Sequence, residues 1–484
     1  MKKMAIFFCL ILSTNLWSIK PFIFIQNNQQ NELEVTIDSA MHVDYGFSYP
    51  LTFKLMLPED SQNLKAQVRF TKTRSWQMIF PRSADDFFNA KWAARFEYDQ
   101  NEAFISVGFN EISDSIYIRV IDQYGQTIPT VFKEITRFYD NRHAAVTLSA
   151  DDMASWSKSK FETSIGHTRS YNLWLTLATN PAACNSSTWN FLQSQVGSGL
   201  IEVGSHTNTH PDPKPYSDYE YEVLDSRQEI IDQLNLPTLF SNGKHEYVYS
   251  YIAPHGYSDT VIDSLIGVGK YLVNRMYYPD FYGFSEWDEK TKTFGRIGVS
   301  KAMDPPKSQL GWGIGTNDIN ELNGAFDYAY DNQTVYHLMF HPNVVEWDKS
   351  YTTDHLAYIS NRKDVWYVAL GHLYLYHLAQ SNYATPTYIS NKDWAMPVEL
   401  ELIGNFPNPF NPSTTIRFIA HRPGRFLFQV FDPLGRLIDS KSLLISQAGL
   451  QQIQWGGFNY ASGLYIFNIA SENQKISGKM VKVK

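Results

Sequence analysis

Four side chains in the middle of the chain could together bind a metal ion and use it. Asp151 and Asp152 are adjacent, and His206 and His210 are separated by three residues. Two imidazoles four residues apart can reach one point in space when the segment forms a helical turn. With Asp152 as a third ligand they would leave one position open, where a hydrolytic metal centre holds an activated water. Asp151 would then supply the base.

The elements around these residues alternate between strand-like and helix-like patterns. The predicted strands cover residues 144–149, 171–177, 199–205 and 335–341. The predicted helices cover residues 187–195, 218–234 and 361–383. Because two of the strands end at the aspartates and at His206, the pattern indicates a barrel-like β/α domain with its site at the carboxyl ends of its strands.

Residues 21–137 have a different pattern, in which apolar residues occupy every second position. The runs 33–37, 51–57, 66–70 and 116–120 show it best. This alternation predicts a small antiparallel β-sandwich. The region shows no residues for chemistry; its aromatic side chains could bind sugar, although packing is their more common use.

Length and charge limit the possible organisation and partners. A chain of 484 residues suggests two to four domains. The net charge of −8 excludes the basic surface that nucleic acids require. Residues 397–484 hold nine Lys and Arg against five Asp and Glu, which favours a separate C-terminal module.

The first 18 residues have the pattern of an export signal, with Lys2 and Lys3 before an apolar run. A buried N-terminal strand is the alternative. Removal of the signal would take Cys9 with it and leave Cys184 alone, so no intramolecular disulfide is expected. No later apolar run is long enough to span a bilayer, so we expect no transmembrane segment in the mature chain.

A linker is predicted at residues 384–396, followed by a proline-rich segment and short strands that predict a second β-sandwich at 397–484. The segments 406–414, 430–436 and 462–465, with a lysine at the end, resemble a type A sorting domain of type IX secretion. The resemblance implies a Bacteroidetes-like, double-membraned bacterium, passage through the periplasm, and a product that is secreted or attached to the cell surface. Its partner would be the type IX secretion machinery. An ordinary carbohydrate-binding sandwich is the alternative.

The segments 149–153 and 206–210 resemble the first two motifs of the polysaccharide deacetylases, the NodB-homology group of carbohydrate esterase family 4. This resemblance implies a distorted (β/α) barrel, flanked here by the two β-sandwiches, that covers residues 141–383. It also implies an acetylated polysaccharide as substrate. By matching positions, Asp152, His206 and His210 would hold a divalent metal, most often zinc, and Asp151 would be the catalytic base.

The family's third motif, Arg-x-Pro-x-Gly, matches Ile252–Gly256 without the arginine. The backbone N–H of His255 would then stabilise the oxyanion. In the family the arginine orients the catalytic aspartate, and Tyr251 and Arg275 are the candidates to replace it.

The last motif, Leu-x-His, matches Met339–His341, which makes His341 the implied general acid. His337 lies on the same predicted strand, and either histidine could instead be packed in the core. The Asp-Trp motif whose acid tunes that histidine has no clear match, and Trp287-Asp288 is the candidate.

These patterns predict a secreted, metal-dependent deacetylase that removes N- or O-acetyl groups from a polysaccharide. A catalytically inactive NodB-fold surface protein that binds glycan is the first alternative, because Ala150, Met153 and Ile252 depart from the family motifs. A metal hydrolase acting on another amide bond is the second. Two histidines and one aspartate also accept cobalt, nickel or iron.

Overall fold

The computed structural model describes residues 21–28, 30–38, 41, 44–46, 49–79, 92–109, 115–212, 215–236, 247–385, 400–420, 423–457, 460–471 and 475–483. The predicted signal and most of the predicted linker lie outside these ranges. The chain divides into two compact units, one up to Tyr388 and one from Ile389.

Ten strands form the first part of the larger unit. They are β1 (Ile23–Asn27), β2 (Leu33–Ile37), β3 (Leu51–Met56), β4 (Lys65–Arg69), β5 (Gln77–Ile79), β6 (Trp92–Glu97), β7 (Glu102–Val107), β8 (Ser115–Ile121), β9 (Thr127–Ile128) and β10 (Val131–Ile135). They pair in two antiparallel sheets, in the orders β1-β2-β8-β4-β5, with β9 beside β8, and β10-β3-β7-β6. The alternation that predicted β2 is present in the structure, where Leu33, Val35 and Ile37 are buried.

Among the described residues, the second part of the larger unit contains ten further strands and eight α-helices. The strands are β11 (Ala144–Met153), β12 (Leu175–Thr179), β13 (Ile201–Ser205), β14 (Ser250–Ile252), β15 (Val273–Arg275), β16 (Arg296–Ile297), β17 (Lys301–Ala302), β18 (Val335–Phe340), β19 (Val365–Tyr367) and β20 (Tyr383–Ala384). The helices are α1 (Lys158–Ser170), α2 (Ser186–Gly197), α3 (Ser226–Gln233), α4 (Thr260–Val268), α5 (Lys307–Leu310), α6 (Ile319–Asp331), α7 (Ser350–Ile359) and α8 (Leu370–Ser381).

Nine of these strands form one curled sheet in which every pair is parallel. Its order is β16-β15-β14-β13-β12-β11-β18-β17, with β19 beside β11. Strands β12, β13 and β18 are buried at every residue, as parallel strands covered on both faces must be. The polar residues that follow these strands therefore gather at one edge of the sheet, which is where the candidate site lies.

One predicted helix is wrong. Residues 361–383 do not form a single helix, because Val365–Tyr367 pairs as β19 with Ala144–Val146 and only Leu370–Ser381 is helical. Val365–Tyr367 consists of β-branched and aromatic residues, which are stabilised more by packing in the buried sheet than by forming a helix.

The two parts of the larger unit share an apolar core. Residues from β1–β10 pack in one cluster with side chains of α8, among them Leu373, Tyr374 and Tyr376. The Tyr376 hydroxyl donates a hydrogen bond to the Thr136 carbonyl at 2.9 Å. Strand β20 pairs with β1, so the end of the α/β part also joins the first sheet.

In the described part of the smaller unit, every regular element is a β-strand. Its strands are β21 (Leu400–Phe406), β22 (Ser413–Ala420), β23 (Gly424–Phe431), β24 (Leu437–Ile445), β25 (Gly449–Gly456), β26 (Gly463–Ala470) and β27 (Lys475–Lys482). They form antiparallel sheets in the orders β21-β22-β25 and β24-β23-β26-β27. Phe428, Trp455 and Phe467 lie in its apolar core.

Candidate metal centre

Asp152, His206 and His210 lie together at the carboxyl edge of the parallel sheet, where their potential ligand atoms are all within 4.8 Å of one another. Asp152 Oδ1 is 3.4 Å from His206 Nε2 and 3.3 Å from His210 Nε2. Two imidazole nitrogens and one carboxylate oxygen fit a first-row divalent cation, and zinc in particular.

A backbone contact orients His206 for this role. Its Nδ1 lies 2.8 Å from the carbonyl oxygen of Ile252, to which it donates a hydrogen bond as the Nδ1–H tautomer. The Nε2 lone pair is then free and faces Asp152. Metal-bound histidines in proteins are commonly held in this way.

The segment between the two histidines is not a helical turn, in contrast to the sequence prediction. Thr207 and His210 have φ values of 62° and 56°, in the left-handed region. The Thr207 hydroxyl accepts a hydrogen bond from the His210 N–H at 3.0 Å, and Glu222 accepts one from the Thr209 N–H at 2.9 Å. These contacts stabilise a tight loop that brings the imidazole rings of His206 and His210 close together.

Backbone strain is concentrated around this centre. Asp152 has a φ of 75° and His255 a φ of 55°, in addition to Thr207 and His210. A β-branched residue such as Thr207 rarely adopts such an angle. Strain of this kind persists only where the surrounding structure enforces it, and it is common at functional sites.

The charges of the cluster favour cation binding. Burial by itself raises the pKa of Asp152, but the neighbouring imidazoles of His206 and His210 outweigh it and hold the pKa below its usual range. Burial lowers the pKa of His210, and the contact with Asp152 raises it to a value above normal. Asp152 is therefore ionised at neutral pH, as a ligand must be.

Asp151 points to a different partner, the guanidinium of Arg275. Both side chains are buried, and Arg275 Nη2 donates a hydrogen bond to Asp151 Oδ1. Arg275 lies beside Ile252 in the register of β14 and β15. Of the two candidates to replace the motif arginine, Arg275 contacts Asp151 from the neighbouring strand, while Tyr251 has its hydroxyl 3.4 Å from that of Tyr216.

His341 lies on the other side of Asp151. Its Nε2 is 4.0 Å from Asp151 Oδ2, and its Nδ1 is 2.6 Å from Asp304 Oδ2. Burial lowers the pKa of His341, but the charge and hydrogen bond of Asp304 outweigh it and raise the pKa to about 9. The imidazole is therefore protonated at neutral pH and can act as an acid.

Asp304 is the functional residue that sequence reasoning missed. It follows β17, and because Ala302 pairs with Met339, the same register carried two residues further brings Asp304 to His341. Asp288 instead takes part in a β-bridge with Thr293, and Trp287 is buried in the core shared with β1–β10. In the sequence, an aspartate shortly after a strand would indicate such a residue. Strand β17, however, is only two residues long and has no recognisable sequence pattern.

The other two histidines discussed with the motifs, His337 and His255, have different surroundings. His337 is buried, its Nε2 is 2.9 Å from the Ser149 hydroxyl, and burial holds its pKa well below normal. His255 follows β14, and its ring centroid is 4.7 Å from that of His210. The site thus combines a cation-binding cluster, a buried carboxylate and a protonated imidazole, which are the groups needed for metal-assisted hydrolysis.

Comparison with family models identifies residues 405–484 as a secretion system C-terminal sorting domain. This confirms the interpretation of the C-terminal segment and indicates that the protein is secreted or displayed on the cell surface. No curated protein matches the chain. No helix among the described residues is long and apolar enough to cross a membrane.

Among solved structures, polysaccharide deacetylases are similar to this chain, at low identity. A CE4 family pseudoenzyme from Bacillus anthracis is 12% identical, with a TM-score of 0.32, over 50% of this chain and 69% of that one. A peptidoglycan N-acetylglucosamine deacetylase is 10% identical, with a TM-score of 0.30, over 48% and 88%. A polysaccharide deacetylase from Bacillus cereus is 13% identical, with a TM-score of 0.24, over 58% and 95%.

Proposed function

We propose that this protein is a secreted, metal-dependent deacetylase that hydrolyses acetyl groups of a polysaccharide. The observation that supports it is the convergence of the Asp152, His206 and His210 cluster with two buried charge pairs at one sheet edge. The first pair is Asp151 with Arg275, and the second is His341 with Asp304. Asp152, His206 and His210 would hold a divalent cation, with zinc as the best fit. When bound, such a cation polarises the acetyl carbonyl and lowers the pKa of water.

Asp151 is the base in this proposal. Its carboxylate accepts a proton from the attacking water as the new C–O bond forms at the acetyl carbon. Arg275 holds the carboxylate in place through their buried ion pair. The N–H of His255 would donate to the oxyanion that develops on the carbonyl oxygen.

His341 is the acid. Its Nε2 donates a proton to the sugar nitrogen or oxygen as the bond to the acetyl carbon breaks, so that acetate and a free amine or alcohol are released. Asp304 holds Nδ1 and stabilises the imidazolium. Since Nε2 lies 4.0 Å from Asp151, base and acid face the same reacting group.

The pairing of Asp151 with Arg275 supports this activity over an inactive glycan-binding protein, because Arg275 contacts the aspartate that the motif arginine would orient. The sorting domain would pass the protein through the periplasm to the type IX machinery of a double-membraned bacterium.

Acetate release from a panel of N- and O-acetylated glycans tests the proposal. The zinc-loaded full chain should release acetate from at least one polymer, and Asp151→Asn should abolish the release. Asp288→Asn is the matched control, since this aspartate lies outside the site, and it should behave as the unaltered protein. Stoichiometric zinc binding with no acetate from any glycan would instead support the glycan-binding alternative.

A further inference from the structure

The loop His206–His210 is bound to a turn of π-helix at Tyr221–Asp225. The Asn208 side-chain amide donates a hydrogen bond to the carbonyl of the first residue of this turn at 3.1 Å. The hydroxyls of Ser205, just before the loop, and Ser226, just after the turn, lie 2.7 Å apart. Turns of π-helix are rare in proteins and occur often at functional sites. This one supports the part of the chain that carries two of the candidate metal ligands.

Glu222, the second residue of the turn, contacts the loop through its side chain. One carboxylate oxygen accepts a hydrogen bond from the Thr209 N–H at 2.9 Å, and the other accepts one from the Thr209 hydroxyl at 2.5 Å. Hydrogen bonds accepted by a carboxylate are stronger than those between neutral groups. Because both donors belong to one residue, Glu222 fixes the position and the orientation of the backbone directly before His210.

The two histidines depend on this contact to different extents. His206 is fixed from two other directions, since Ile252 accepts a hydrogen bond from its ring and the Asn180 amide donates one to its carbonyl oxygen. For His210, no other residue within the described part of the chain forms a hydrogen bond with Nδ1. The ring of His210 is therefore placed through its backbone, and Glu222 holds the residue before it.

The charge of Glu222 gives a second reason to link it to a metal ion. Its side chain is buried, and among the described residues it forms no ion pair with a lysine or an arginine. Burying a carboxylate without a cationic partner costs free energy, which two hydrogen bonds offset only in part. A divalent cation held by the neighbouring His210 would supply the missing positive charge.

We propose that Glu222 is a positioning residue that orients His210 for metal binding and raises the affinity of the site for a divalent cation. This inference rests on the proposed function only in taking Asp152, His206 and His210 as the metal ligands. Glu222 acts on the ligand set through Thr209 and through its own buried charge. Removing a residue that orients a metal ligand in this way typically weakens metal binding by about 10- to 100-fold.

The zinc affinity of the full chain, measured by competition with a chelator of known affinity, tests the inference. Glu222→Gln keeps the shape of the side chain and removes its charge, and it should raise the Kd for zinc about 10- to 100-fold. The cobalt-loaded variant should also have a changed visible absorption spectrum, because His210 would coordinate the ion in a different geometry. Glu220→Gln is the matched control, since it makes the same change at an exposed residue two positions away. It should leave both the Kd and the spectrum unchanged.

A double-mutant cycle with Thr209 assigns the effect to the contact itself. Thr209→Val removes the hydroxyl donor and keeps the N–H, so it should weaken zinc binding by less than Glu222→Gln does. Because both substitutions disrupt the same contact, the loss of affinity in the double variant should be smaller than the product of the two single losses. Thr209→Ser keeps the hydroxyl and should bind zinc as the unaltered chain does.

Thermal unfolding of the metal-free proteins separates a positioning role from a purely structural one. Metal-free Glu222→Gln should unfold at the same temperature as the unaltered chain or at a higher one, since it no longer buries a charge without a cationic partner. Zinc should raise the unfolding temperature of this variant less than that of the unaltered chain. A metal-free variant that unfolds at a clearly lower temperature would assign Glu222 a structural role only and overturn the inference.

The same measurements distinguish a failure of this inference from a failure of the proposed function. Zinc binding that is equally tight in Glu222→Gln and in the unaltered chain would overturn the role of Glu222 and leave the proposed activity intact. Zinc affinity that depends on Glu222, with no acetate release from any glycan, would overturn the activity and keep the positioning role.

Discussion

The candidate site has two halves that differ in exposure and in charge. The metal half is Asp152, His206 and His210; the side chains of His210 and Asp152 are 30% and 20% exposed. The proton-transfer half comprises the pairs Asp151–Arg275 and His341–Asp304, in which Arg275 and Asp304 are fully buried. An open ligand cluster admits a cation and a substrate. Buried ion pairs instead hold their groups in one orientation before substrate arrives.

This difference predicts separable defects. Changes in the metal half should reduce cation binding and activity together. Changes in the proton-transfer half should leave cation binding intact and alter rate, pH dependence or stability. Four substitutions test the distinction, from the largest expected effect to the smallest.

His206→Ala should abolish both zinc binding and acetate release, with a loss of activity of about 10³-fold or more, because it removes a ligand whose orientation is set by Ile252. Metal content after dialysis and acetate release on the same sample measure the two losses. Treating the unaltered protein with a chelator should give the same loss, and zinc should restore activity only to the unaltered protein. Full activity in His206→Ala would rule out this metal centre.

Asp151→Asn should retain zinc and lose about 10²- to 10⁴-fold in kcat, the usual contribution of a general base. The amide keeps the shape of the side chain but cannot accept the proton. Zinc content of the variant serves as its control. A parallel loss of zinc and activity would move Asp151 into the metal half.

Arg275→Ala should reduce kcat about 10- to 100-fold and destabilise the fold by about 3–5 kcal/mol, since it leaves the buried carboxylate of Asp151 unpaired. Acetate release and thermal unfolding measure the two effects. The double variant Arg275→Ala with Ile252→Arg returns the arginine to the position of the family motif, beside the original one in the sheet register. It should recover part of the activity. Recovery of stability without activity would assign Arg275 a structural role only.

Asp304→Asn should lower the pKa of His341 from about 9 towards its ordinary value, because it removes the charge that stabilises the imidazolium. NMR titration of the metal-free protein measures this shift directly. Because the pKa of His341 is raised in the folded protein, its protonation adds to the free energy of unfolding at low pH. This contribution is lost as the pH rises through about 9. Because its His341 would lose the proton at a lower pH, the variant should also lose activity at a lower pH than the unaltered protein does. Its zinc content should be unchanged. An unshifted alkaline limb would exclude His341 as the acid.

The metal half was accessible from sequence because its residues occur in two short segments directly after strands. The proton-transfer half was only partly accessible. The resemblance of Met339–His341 to the Leu-x-His motif indicated His341, but Asp304 lies 37 residues away and Arg275 lies 124 residues from Asp151. Both pairs depend on which strands are neighbours, and a two-residue strand such as β17 has no recognisable pattern.

The sequence by itself determined β2, β3, β4 and β8, the strands that end at Asp151 and His206, and the sorting domain at 405–484, because each depends on residues close together in the chain. The tertiary structure decided the rest. It placed Val365–Tyr367 in the sheet rather than in a helix, and it replaced the expected helical turn at His206–His210 by a strained loop. It also brought Arg275 of β15 to the carboxylate of Asp151. Strand order and register bring such residues together, and neither is encoded in any local stretch of sequence.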